Sequence, residues 1–333
     1  MRGHSLFGIA CVTLSSFVIA CTEAPDDSTD EVRSEVVASA IAGTASAART
    51  FQALSLNQVV VLGSDSNLWL EFGPFARTVP PPRLQVDGNV ASFQALSSSD
   101  MFVLGTDGKL WLEHPNGAVP PPRLQVDGNV AAFQALSTSV VFVLGTDGKL
   151  WREAPNGAVP PPRLQVDGNV AAFQALSSSS VLVLGTDGKL WLETPNGAVP
   201  PPRTQVDGNV AAFQALSSSL VFVLGTDGKL WREVPNGAVP PPRIQVDGNV
   251  IGFQALSASA VFALGSDRNL WLEAPNGAVP PPRSQVDGNV ANFQAVDSNN
   301  VLTLGLDRNL WLEHGPFGAV PPAREIVDAN VAF

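Results

Sequence analysis

A chain of 333 residues with 30 acidic against 19 basic side chains, a formal charge of −11 and 45% apolar residues has enough apolar material for a sizeable core. It lacks the clustered Lys and Arg that following a phosphate backbone requires, so nucleic acid is not an expected partner. Its two cysteines, Cys11 and Cys21, lie at the start, which excludes a disulfide framework or a Cys-based metal site from the remainder; no cofactor or metal is expected.

The first segment, residues 1–20, has Arg2 followed by an apolar run from Leu6 to Ala20. That run is short for a membrane-spanning helix of about 20 residues and has the layout of a secretory signal. Val18-Ile19-Ala20-Cys21 resembles the lipobox of bacterial lipoproteins, and the resemblance implies lipidation at Cys21, with attachment to a membrane through that anchor alone. Ordinary signal cleavage, after Ala38-Ser39-Ala40, is the other reading, and it implies a secreted protein. Residues 21–44 carry Glu23, Asp26, Asp27, Asp30, Glu31 and Glu35 against Arg33, a composition that reads as an acidic flexible linker.

From residue 45 to 333 the chain is one repeated unit. The Phe of a Phe-Gln-Ala step recurs at Phe51, Phe93, Phe133, Phe173, Phe213, Phe253 and Phe293, with spacings of 42 and then 40 residues. A single array is therefore expected in place of two unlike domains. In the copy that begins at Phe133, Val130–Leu136 reads as a strand of small residues in a crowded place. Val140–Leu144 is an unbroken run of branched and aromatic residues, as in a strand covered on both faces. Asp147-Gly148 supplies the positive φ angles of a tight hairpin into Leu150–Glu153, where apolar and polar residues alternate. Pro160-Pro161-Pro162 cannot donate ladder hydrogen bonds and belongs at an edge or in a connector; Arg163–Val166 is a fourth strand, closed by the turn Asp167-Gly168-Asn169.

Four short antiparallel strands in about 40 residues, seven times over, predict an all-β, seven-bladed β-propeller. No window shows the three-and-four apolar spacing of a helical solenoid. Val331-Ala332-Phe333 begins an eighth first strand with no room to continue, so the ends should meet side by side with a short overlap.

The hairpin Asp107-Gly108-Lys109-Leu110-Trp111 and its equivalents resemble the Asp-Gly-x-Leu-Trp hairpin of β-propeller lectins of the tectonin, tachylectin and Photorhabdus-lectin kind. The resemblance covers about eight residues per blade, and it implies a propeller that binds sugars without catalysing a reaction. Candidate ligand-binding residues are Trp69, Trp111, Trp151, Trp191, Trp231, Trp271 and Trp311, with the hairpin carboxylates Asp107, Asp147, Asp187 and Asp227.

Each has a structural reading beside the functional one. The Trp rings can stack on pyranose faces or pack between blades; the Asp residues can face a groove or simply close their turns. The Gln residues, Gln134 and its equivalents, can line a channel or form a ring of amides that satisfy one another or water. Arg123 and Glu113, with their equivalents, can form ion pairs within or between blades or receive vicinal hydroxyls. No Ser/His/Asp or metal-ligand grouping is present, so no enzyme is expected. The expected partners are glycans or a cell-surface protein.

Overall fold

The computed structural model describes residues 40–41, 50–75 and 79–333. The signal segment, Cys21 and nearly all of the acidic linker lie outside these. Among the described residues there are seven antiparallel sheets, each containing four strands that follow one another in chain order from the inside of the ring outward. The sixth sheet also pairs with the two-residue strand Ala40–Ile41.

The predicted strands are present nearly residue for residue. In the third blade they are Val130–Ser137, Val140–Gly145, Leu150–Glu153 and Arg163–Asp167. The second strand is buried along Val141, Phe142, Val143 and Leu144, because both its faces are covered by neighbouring blades. One face of each blade packs on the opposite face of the next: Phe102, Leu104 and Leu110 of the second blade cluster with Phe133, Val141 and Val143 of the third. Phe102 meets Phe133 at 6.2 Å between ring centroids, and the same contact recurs at Phe142–Phe173, Phe222–Phe253 and Phe262–Phe293. A four-stranded sheet of this size has too little core of its own, so the apolar contact between blades is what stabilises it.

The hairpins differ from expectation in one respect. Asp147 is not in the left-handed region; only Gly148 is, at φ 75°. The Gly148 N–H donates to the Gly145 carbonyl at 3.0 Å and the Gly145 N–H to the Lys149 carbonyl at 2.9 Å, which makes a type I turn followed by a left-handed residue. Ser66, Arg268 and Arg308 occupy that left-handed position in the first, sixth and seventh blades, at φ 62–66°. In the turn between blades the left-handed residue is the Asn, as at Asn169, φ 57°.

The innermost strands hold each other through side-chain amides. Gln134 donates from Nε2 to the Ala175 carbonyl at 2.8 Å and accepts the Ala175 N–H on Oε1 at 2.7 Å. The same two-point clasp joins Gln52 to Ala95, Gln94 to Ala135, Gln174 to Ala215, Gln214 to Ala255 and Gln254 to Ala295, with distances of 2.6–3.0 Å. Gln294 accepts from the Ala53 N–H at 2.9 Å, which carries the circle across the chain ends. The glutamines thus bond the next blade's backbone and not one another, a pattern the sequence reading did not contain.

The ends close as every other pair of blades joins. Val331 bridges Gly63, and the Ser64 N–H donates to the Asn330 carbonyl, as the Thr106 N–H donates to the Asn89 carbonyl further round. Val331 is fully buried in a cluster with Phe51, Leu304 and Phe75. The expected short overlap is therefore two residues long, the bridged Val331 and Ala332, whose N–H donates to the Leu62 carbonyl at 2.9 Å. Of the Gly-Pro-Phe segments found in the first and seventh blades, Phe75 packs in the closing junction itself and Phe317 in the junction before it, edge-on to Phe262 at 6.1 Å.

Gln134→Leu removes both hydrogen bonds of one clasp while conserving volume, and it should lower unfolding stability by about 2–5 kcal/mol in urea titration, since it strands a buried N–H and a buried carbonyl. Arg268→Gly should instead raise stability, by about 0.5–1 kcal/mol in the same measurement, because it relieves a left-handed side chain.

Candidate functional site

The third strand carries Trp151 and Glu153 on one face, since residues two apart in a strand point the same way. Across the ladder Trp151 lies opposite Gln165, and Glu153 opposite Arg163. The guanidinium of Arg163 sits 4.2 Å from the centre of the Trp151 ring. All seven blades repeat this stack, at 3.9–4.2 Å. The predicted Trp series is half-buried, so the rings are neither sealed inside nor bare platforms: one face of each is covered by its arginine.

Each arginine also joins two blades. Arg123 Nη1 lies 3.4 Å from Glu113 of its own blade and 3.1 Å from Asp87 of the preceding one. The first blade uses Asp328 at 3.7 Å, which takes the contact across the chain ends. The arginine–carboxyl contacts expected within or between blades are thus both, on one guanidinium. Burial, followed by repulsion from the adjoining aspartate, pushes the glutamates up: Glu153, Glu193 and Glu233 to about 8, Glu71 to about 9.

The aspartates that face the arginines come from the turn between blades and not from the hairpin. Asp127 Oδ1 accepts the Gly128 N–H at 2.7 Å, and its other oxygen turns to Arg163. Sequence reasoning gave Asp127 and its equivalents only a place in the turn that closes the fourth strand, and no ion-pair role. A signal was present: the last copy keeps Asp328 and Asn330 but replaces the intervening Gly with Ala329. The structure explains it, because a Cβ built on Gly128 meets nothing within 4 Å.

The hairpin aspartates proposed as ligands, Asp107, Asp147, Asp187 and Asp227, are exposed. Each binds the ammonium two residues on, as Asp147 does Lys149 at 2.7 Å, and each accepts that residue's N–H at 3.1 Å. These hydrogen bonds, more than any other influence, hold their carboxyls below the usual range. In the seventh blade the equivalent residue, Asp307, shares a groove with Trp311 and Arg324. This groove, of about 540 Å³, runs between the sixth and seventh blades; Asp287 and Asn289 form its other wall, and Leu306, Val320 and Pro321 supply apolar surface. The structure thus brings a Trp, an Arg and a hairpin carboxylate to one inter-blade groove.

Among the described residues no group of three or more His, Cys, Asp and Glu is placed to hold a metal ion, and no helix is long and apolar enough to cross a membrane. His114 lies 3.0 Å from Asp100, and His314 bonds Asn300 at 2.9 Å, on separate blades.

No family model matches the chain, and no curated protein does. Among solved structures it is similar to the computationally designed protein Ika8, with 15% identity, a TM-score of 0.51 and 86% of each chain covered. It is also similar to the WD40 β-propeller domain of Doa1, with 13% identity, a TM-score of 0.56, 83% of this chain and 96% of that one covered. At such identities the likeness is one of fold. The chain is a seven-bladed β-propeller.

Lys149→Met should return the Asp147 carboxyl toward the ordinary aspartate range in an NMR titration, with stability changed by less than about 0.5 kcal/mol, because the pair is exposed to water.

Proposed function

We propose that this propeller is a non-enzymatic, lectin-like carbohydrate-binding protein that uses the grooves between its blades. The observation that carries the reading is the groove between the sixth and seventh blades, where the Trp311 indole, the Arg324 guanidinium and the Asp287 and Asp307 carboxylates face one space beside Val320 and Pro321. A sugar offers vicinal hydroxyls that donate to a carboxylate and accept from a guanidinium, together with apolar C–H faces that suit indole and proline. The hairpin resemblance to propeller lectins supports the same reading.

The stacked Trp–Arg pair recurs in all seven blades, so weak sites can add. Several sites engaging one surface raise avidity by roughly 10²–10⁴ over a single site. Export, with lipid attachment at Cys21, belongs to this reading and rests on the sequence of residues 1–21. Such an anchor places the ring at a bacterial cell surface, with the acidic linker as spacer.

A second reading, a protein-interaction scaffold of the cell envelope, is favoured by one observation. The valine of each Val-Pro step, from Val79 and Val119 round to Val320, is 45–50% exposed, which gives a sevenfold circle of exposed apolar side chains.

Glycan-array binding followed by calorimetry with the best oligosaccharide separates the two. Under the lectin reading the chain binds glycans, and Trp311→Ala combined with Asp307→Ala lowers affinity at least about tenfold, the effect of losing about 1.4 kcal/mol, while the fold is kept. Clean negatives across a broad array, with capture of one stoichiometric protein that free sugars do not displace, select the scaffold.

A further inference from the structure

The junctions between blades hold more buried acid than base. The Glu113 side chain is fully buried, and so is its equivalent in every blade, at 0–2% exposure. Its Oε2 has no hydrogen-bond partner; in Glu71, Glu153 and Glu313 neither oxygen has one. The charged groups that face it are Asp87, from the turn of the preceding blade, and Arg123, from its own outer strand. Glu313 has Thr303 beside it as well, together with Asp287 and Arg324.

One guanidinium nitrogen is therefore divided between two carboxyl groups, 3.0–3.7 Å from the aspartate and 3.3–3.8 Å from the glutamate around the ring. The two carboxyls are not equally supported. The aspartate already accepts a backbone N–H, as Asp127 does from Gly128, and keeps 10–13% exposure in the middle blades. The glutamate is shut away from solvent, at 0–2% exposure, and apart from Thr303 beside Glu313 no second donor faces it among the described residues. Two negative charges against one positive, with one of them fully buried, is an arrangement a protein avoids by keeping a proton.

We propose that each blade junction holds one proton on its carboxyl pair, Glu113 with Asp87 and the equivalent pairs round the ring, so that the propeller is a proton-stabilised assembly that loosens on the alkaline side. The proton resides on the glutamate, whose O–H donates to the aspartate carboxylate of the neighbouring blade. It thereby supplies a hydrogen bond between blades that the ionised form lacks. On deprotonation the bond is replaced by repulsion between adjacent carboxylates at every junction.

The sign follows from linkage. The glutamates' folded-state values, raised to about 8 in the middle blades and about 9 at Glu71 and Glu313, lie above the ordinary 4.5 of the unfolded chain. The folded state therefore binds more protons between those limits. The contribution is fully present below the unfolded value and is lost as pH rises through the folded one. This holds whether or not the grooves bind sugar, so failure of one reading leaves the other standing.

Infrared spectroscopy of the full chain tests it directly. At about pH 6, where ordinary carboxyls are ionised, a protonated-carboxyl band should be present, and it should vanish by about pH 10. Glu193→Gln should reduce the band by roughly one seventh. The urea midpoint should fall between about pH 6 and pH 9.5, and replacing all seven glutamates, Glu71 to Glu313, by Gln should flatten that fall, because the amide is neutral at both. Absence of the band at pH 6 overturns the proposal, as does a Gln variant with the wild-type pH slope. If the sevenfold variant does not fold, the wild-type spectrum and the single substitution still decide.

Discussion

The structure depends on how the innermost strand of each blade is satisfied, an edge whose inner row of backbone groups meets no further strand among the described residues except Ala40–Ile41 on the sixth blade. Unpaired edges of this kind cost stability and invite foreign strands. Here the glutamine of the preceding blade supplies both a donor and an acceptor to one residue of that edge, as Gln94 does for Ala135. The small residue at Ala135 lets the amide approach. One residue type thereby closes the edge of one sheet and links it to the next. Because Gln294 reaches Ala53, the linkage crosses the chain ends without an exchanged strand.

Further out, apolar faces carry the cohesion between blades and the Arg–Trp–Glu–Asp junction sets their alignment. Burying such charges is expensive, and an ion pair of this kind is weak evidence for stability in itself. Its geometry is restrictive, however: a guanidinium placed over Trp151 and between Glu153 and Asp127 fixes blade three against blade two. The same residues that set the angle between blades also floor the grooves. Any ligand there meets a surface already held in place, which limits the ordering cost of binding.

The blades are not identical where the ring closes. The first and seventh replace Pro-Asn-Gly with Gly-Pro-Phe, and both phenylalanines are spent on packing against the preceding blade. Leu306 stands where most blades have Thr and is 51% exposed at the edge of the groove between blades six and seven. Atypical terminal repeats are the rule in arrays whose ends must be covered. Here they also make one groove more apolar than its counterparts.

Much of this was legible in the chain itself. The repeat, the strands to within a residue of the observed Val130–Ser137 through Arg163–Asp167, the doubly covered second strand and the turn positions follow from local rules: alternation, branched side chains, proline without a donor, glycine at positive φ. Such rules act within a few residues, so one copy contains them all. Distances across blades are not local. That Gln134 clasps Ala175, 41 residues on, that Asp87 answers Arg123 from 36 residues away, and that an arginine covers each Trp face depend on the angle at which one sheet meets the next. That angle is set jointly by the interlocking of Phe102 with Phe133 and by closure of the circle, and so it existed only once all seven blades were in place.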